Sequence, residues 1–206
     1  EFLIREYIQR YQTNKWKPKS LFNFNIAHVS LKRMRSLLFE VDVICLHSIQ
    51  SFLSASQIKE IQDLSQAPIV WTLMDVEPFT GGCHFNNGCD KYQDHCGNCP
   101  ELETNQSIDI SEQLLKKKRS ELGSLPITFV APTSNAFNMV RSSSLFNENR
   151  IEKILLSTED IFLSPIDRDI ARTALNLPKG KKIIFFGAFN LMDKRKGGDL
   201  LLQALR

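Results

Sequence analysis

The chain has 206 residues, 42% hydrophobic and 24% charged, with a formal net charge of +3. That balance is ordinary for a globular protein long enough to bury a core. It gives no footprint of a strongly basic nucleic-acid binder, and no apolar run of about 18 residues exists to span a membrane. No secretory signal is visible. The first residue is Glu1 rather than methionine, and the last stretch, residues 198–206, reads as a helix that stops without a cap. The chain is therefore expected to be a fragment of a longer α/β protein.

Phe2, Leu3, Tyr7, Ile8 and Tyr11 recur at helical spacing and predict a helix over residues 1–12. Residues 14–20, NKWKPKS, read as a basic loop around Trp16; a solvated connection and a nucleic-acid or membrane contact are the two readings. LFNFN at 21–25 alternates and predicts a short strand or extended segment. Ser30 is placed to cap a helix over 31–38, with Lys32, Arg33 and Arg35 facing water or phosphate. VDVICL at 41–46 is an apolar run expected as a buried parallel strand, with Cys45 a small core residue. His47 follows at the strand's C-terminal end, the edge at which ligands bind in doubly wound sheets; a histidine satisfied by a loop carbonyl is the plainer reading. Ser54 and Gln57 form a capping box for a helix over 54–65. Residues 68–74, PIVWTLM, then predict a central strand buried on both faces, which completes a βαβ unit.

Asp75 breaks that strand. The loop that follows, residues 80–100, carries Cys83, Cys89, Cys96 and Cys99, four of the five cysteines. Gly97 and Asn98 between the last two give knuckle spacing, which lets two sulfurs face one ion. A structural zinc, a pair of disulfides and free buried thiols are the three readings. His84 and His95 can replace a cysteine as ligand, though solvated loop histidines are the simpler expectation. Thr80, Gly81 and Gly82 allow close backbone approach to a ligand, or serve only to turn the chain. Asp75 can orient an acceptor hydroxyl, or cap the loop backbone.

Asp109 or Ser111 is placed to cap the next helix, SEQLLKKKRSEL, with Leu114, Leu115 and Leu122 inward and residues 116–119 as a solvated basic face. Residues 126–131 predict a buried strand. Thr133 or Ser134 caps a helix carrying Phe137 and Val140. Residues 150–156 alternate as a further strand. A hinge is expected over 157–164, then a helix over 166–175, a strand over 182–186 ended by Gly187, and a helix starting near Lys196. The strand-to-helix loop GAFNLMDKRKGGD, residues 187–199, places Lys196 and Arg195 at a helix start, a pattern that suits phosphate but lacks the Gly-Lys-Ser/Thr of a Walker loop.

The stretch TLMDVEPFTGGCHFNNGCDKYQDHCGNCP resembles the loop of a bacterial subgroup of family 4 glycosyltransferases with the GT-B fold. The resemblance extends to VDVICLHSIQSFLS, to the Pro-Thr-Ser near residue 132 and to DKRKG near the end of the chain. It implies an α/β chain: a Rossmann-like, doubly wound parallel sheet over 1–160, and the start of a second Rossmann-like domain over 161–206. It further implies a retaining transfer of sugar from a nucleotide-sugar donor (UDP- or GDP-sugar) to a glycan or lipid-linked acceptor in cell-surface polysaccharide synthesis. The implied site has His47 and Asp75 on the acceptor side and Lys196, Arg195 and Gly187 at the donor's pyrophosphate; such enzymes need no catalytic metal, so the zinc that the spacing of Cys83, Cys89, Cys96 and Cys99 suggests would be structural. Paired glutamates that hold the donor's sugar in the family are expected outside this chain. A cytoplasmic enzyme follows, with peripheral contact to the inner membrane face compatible and no nucleic-acid partner. Three departures matter. Met74 stands where the family has a histidine, Glu77 where tryptophan is common, and Ala188 and Asn190 where an arginine often follows the strand glycine. These favour an alternative reading, a GT-B-like binding protein with impaired catalysis.

Overall fold

A computed structural model describes residues 2–206 of the chain. The side chains of Phe2 and Arg33 lie outside that description, and with them their expected places on an apolar helix face and in water. The chain divides into one unit ending at Leu156 and a second running from Ser157 to Arg206.

In the first unit, four strands form one parallel sheet in the order β1 (Ile44–His47), β2 (Ile69–Thr72), β3 (Ile127–Ala131) and β4 (Arg150–Lys153). The connections carry α2 (Ala55–Ser65), α3 (Ile110–Leu122) and α4 (Ser134–Ser142), after an opening helix α1 (Phe2–Trp16). The fold is α/β and Rossmann-like, as expected. Three caps explain where the connecting helices begin. Ser54 and Gln57 make the predicted capping box, Asp109 accepts from the amides of Ser111 and Glu112, and Thr133 accepts from Ala136. Each satisfies amides that the first helical turn leaves without partners.

Register decides which side chains make the core. Leu46, Trp71, Phe129 and Ile151 form one cross-sheet rung, and Ile44, Ile69 and Ile127 another. Apart from half-buried Ile44, these residues are buried. Trp71 stacks on Phe129, whose other ring neighbour is Phe146 at 4.6 Å between centroids. The opposite rung, Cys45, Val70, Thr128 and Arg150, is half-buried or exposed. The expectation that the central strand is buried on both faces holds only in part: side chains alternate across the sheet, and on the second face Thr72 is buried while Val70 is half-buried. Cys45, expected in the core, is exposed because it points to the other face of an edge strand.

Other local expectations also shift. Residues 31–38 form two 3-10 turns, Leu31–Arg33 and Arg35–Leu37, rather than an α-helix, and Ser30 makes no side-chain cap. Among the described side chains of this segment only Leu31 and Leu38 are buried, too little anchoring to offset the cost of a helix nucleus. The 21–25 segment is extended but makes only a single bridge, Phe22 to Cys83. α1 runs on through Trp16, which packs with a second apolar cluster of Phe22, Phe24, Cys99, Leu102 and Leu114 instead of standing in a solvated loop. β4 stops at Lys153, and Ile154, Leu155 and Leu156 are exposed.

The second unit holds α5 (Arg168–Ala174), capped by Asp167, and α6 (Gly198–Ala204). Residues 182–186, expected as a strand, are not hydrogen-bonded into a sheet. A strand exists only through pairing, and among the described residues none pairs with this segment. Among the described residues no helix is long and apolar enough to cross a membrane.

Candidate functional site

The polar end of β2 is built by the ladder running out. Leu73 still donates to the carbonyl of Val130 at 2.9 Å. Met74 then turns outward and is 50% exposed. Asp75 starts the loop, and its carboxylate is the most connected group at this edge. It accepts from the Glu77 amide at 3.0 Å, from the Gln50 side-chain amide at 3.2 Å, and lies 2.6 Å from Nδ1 of His84. Asp75 thus caps its own turn and also orients a histidine. With the Asp75 carboxylate accepting, Nδ1 of His84 is the donor in this contact.

His84 is 4% exposed, so the expectation of a solvated loop histidine is corrected for this residue. Its backbone is fixed as well, with the His84 amide donating to Leu21 and its carbonyl accepting from Val76, both at 3.3 Å. His95 is exposed, with Nδ1 2.7 Å from Asp94. His47 ends β1 and is exposed. The residue that reaches Asp75 from the loop after β1 is Gln50, which the sequence did not single out. Gly81 and Gly82 serve chain packing: a Cβ on Gly81 would meet the Ser111 carbonyl at 2.2 Å, and one on Gly82 the Asn23 carbonyl at 2.4 Å. The loop's own neighbours fill the space that a ligand reading of these glycines requires.

The four loop cysteines come together. Cys83, Cys89, Cys96 and Cys99 line one cavity of about 20 Å³, with Phe22, Tyr92 and Ser111 also in its wall. All are free thiols. Burial pushes Cys83 up to about 12 and Cys96 to about 11, and raises Cys99, so each is a neutral thiol at pH 7. Among the described residues no three His, Cys, Asp or Glu side chains stand in a ready-made metal cage.

Behind the loop lies a buried ion pair. Lys118 Nζ donates to the Glu77 carboxylate and carbonyl, both at 2.5 Å, and to the Thr80 carbonyl at 3.0 Å. Asn23 donates to the same carboxylate at 2.9 Å. Lys118, expected on a solvated basic face, is therefore buried. Asp109 supports the loop from the other side, accepting from the Cys99 amide, Thr104 and Ser111 at 2.9, 2.6 and 2.6 Å. Burial alone would raise its pKa, but these hydrogen bonds outweigh burial and hold it below the usual carboxylate range.

In the second unit, Lys194–Lys196 is a 3-10 turn, and Gly197 follows in the left-handed region at φ 72°. Arg195 folds back on Asp193, with Nη2 2.5 Å from the carboxylate, and holds that carboxyl below its usual range. Lys196 and Gly187 are exposed. A groove of about 430 Å³ beside this turn is lined by Phe186, Leu191, Asp193 and Lys194 among others, and not by Lys196, Arg195 or Gly187.

No family model matches the chain, and no solved structure matches it. Over 78 residues it is 36% identical to an Escherichia coli (strain K12) protein provisionally named colanic acid biosynthesis glycosyl transferase WcaC. The match covers 34% of this chain and 19% of that relative, so it spans about a fifth of the relative's length.

Proposed function

We propose that this chain is part of a glycosyltransferase of the GT-B type, which transfers a sugar from a UDP- or GDP-sugar to a glycan or lipid-linked acceptor in cell-surface polysaccharide synthesis, with retention of configuration. The observation that carries this reading is the 36% identity over 78 residues to a protein named for glycosyl transfer in polysaccharide synthesis. The Rossmann-like sheet with a polar C-terminal edge supports it, since that edge is where such sheets bind ligands. In this reading the first unit is acceptor-side and the second opens the donor-binding domain.

The acceptor-side groups are His47 and the Asp75–His84 pair. Asp75 is already engaged by Gln50 and the Glu77 amide, so its role is to hold His84 in one tautomer and one orientation. Lys196 is the cation for the donor's pyrophosphate. Arg195, paired with Asp193, has to exchange that partner before it can assist. Catalysis rests on positioning and on stabilising the leaving diphosphate.

A second reading is a binding protein of the same fold with impaired catalysis. It is favoured by Met74, half-exposed at the end of β2, because a thioether can neither shuttle a proton nor donate a hydrogen bond. A panel of UDP- and GDP-sugars, offered to the full-length protein with lipid-linked acceptors, separates the two. Turnover of one donor supports the enzyme. Donor binding without turnover supports the impaired protein, and neither binding nor turnover overturns both.

A further inference from the structure

Glycosyl transfer leaves the cysteine loop unexplained. A surface loop needs no four cysteines, and these four are not scattered. They arrive from both ends of the loop and line a single cavity of about 20 Å³. That is room for about one water-sized particle, and far too little for a sugar or a nucleotide. A water there would face mostly sulfur and carbon, which are poor hydrogen-bonding partners. One soft-ligand cation suits both the size and the lining.

The backbone around the sulfurs is arranged accordingly. Cys96 and Cys99 are joined by Gly97 and Asn98, both at positive φ (122° and 44°). A Cβ on Gly97 would meet the Ser107 carbonyl at 2.1 Å, so the tight turn requires glycine. Lys91 clips this turn from outside, donating to the carbonyls of Gly97 and Asn98 at 2.9 and 2.6 Å.

We propose that Cys83, Cys89, Cys96 and Cys99 bind one zinc ion as a closed, four-thiolate structural site. Four thiols and one Zn²⁺ give a tetrathiolate complex of charge −2 and release four protons to solvent. The four cysteines line the cavity, and among the described residues no three of them stand in a ready-made metal cage, so binding requires the loop to close around the ion. The consequence is mechanical. Cys96 belongs to the main core, while Cys99 and Cys83 belong to the second apolar cluster. The ion therefore staples two cores across the loop that also carries His84. Four soft ligands with no position left for water mark a structural rather than a catalytic metal.

The test is the metal content of tag-free, full-length protein purified under reductant. The expected result is about one zinc per chain. Replacement by Co²⁺ should give the intense visible and near-ultraviolet bands of a tetrahedral thiolate site. A paired Cys96→Ser, Cys99→Ser variant should lose the metal, while Cys45→Ser, at the exposed fifth cysteine, should keep it. If the paired variant does not fold, the wild-type stoichiometry and the cobalt spectrum decide. Zinc below about a tenth of an equivalent with no thiolate bands overturns the proposal, and so do two disulfides found by mass spectrometry in wild-type protein never exposed to oxidant. The outcome is independent of whether any nucleotide-sugar is turned over.

Discussion

The ammonium of Lys118 lies 2.5 Å from the carboxylate of Glu77, with both side chains no more than 5% exposed. The lysine comes from the middle of α3, and the glutamate from the turn just after β2. The pair therefore ties the base of the cysteine loop to the helix behind it. A buried carboxylate is tolerated at this position because Lys118 and Asn23 meet it.

Removing one partner of this pair should be far worse than removing both. Glu77→Leu alone or Lys118→Met alone leaves an uncompensated buried charge and should each cost about 3–5 kcal/mol. The double variant should recover most of that loss. Urea unfolding of the three proteins checks it, and additive losses in the double variant would show that the pair is not coupled.

Asp109 is fully buried and accepts from two side-chain hydroxyls and three amides, those of Cys99, Ser111 and Glu112. Asp109→Ala removes a helix cap and orphans several donors at once, so about 2–4 kcal/mol of stability should be lost. Ser54→Ala, which removes a cap at the start of α2, should cost only about 1 kcal/mol. Equal losses at the two sites would mean that Asp109 acts only as a cap and does not anchor the loop.

Asp75→Asn keeps the size of the side chain but no longer holds Nδ1 of His84 as a donor. Under the proposed function, turnover of the full-length protein should fall about tenfold or more, with a stability loss of only about 1–2 kcal/mol. His84→Gln should give a similar fall, and the double variant little more. Additive falls in turnover would separate the two residues functionally.

Met74 is half-exposed, so its replacement should change stability by less than about 0.5 kcal/mol. Met74→His should raise turnover, by about tenfold if the imidazole recovers an acid–base role. Under the proposed function, unchanged or lower turnover in the full-length protein counts against the assignment of this position.

Lys196 is exposed and Arg195 is held by Asp193. Under the proposed function, Lys196→Ala should therefore raise the donor KM about tenfold, in line with the loss of one charge-assisted contact. Arg195→Ala should have the smaller effect. Reversal of that order would move the pyrophosphate contact to Arg195.

The elements that local rules govern were legible in the sequence. The capping box at Ser54, the helix starts at Asp109 or Ser111 and at Thr133 or Ser134, and the βαβ order followed from patterns within a few residues, because caps and periodicity are short-range physics; the structure selects Asp109 and Thr133. The cysteine loop was legible for the same reason, through spacing alone. Lys118 could have been found: it lies on the stripe of Leu114, Leu115 and Leu122, at helical spacing, although it sits in a basic run that reads as solvated.

What only the tertiary structure decided was which polar groups are taken out of water. Glu77 and Lys118 are far apart in sequence, as are Gln50 and Asp75, and no local pattern links either pair. Nothing around His84 in the sequence distinguishes it from His95, yet one is buried against Asp75 and the other exposed beside Asp94. Cys45 looks like core in a run of apolar residues, and register turns it outward. A side chain's desolvation depends on what the rest of the chain packs over it. The sequence by itself determined the capped helices, the strand order and the clustering of the cysteines, and long-range packing determined which charges and thiols share one environment.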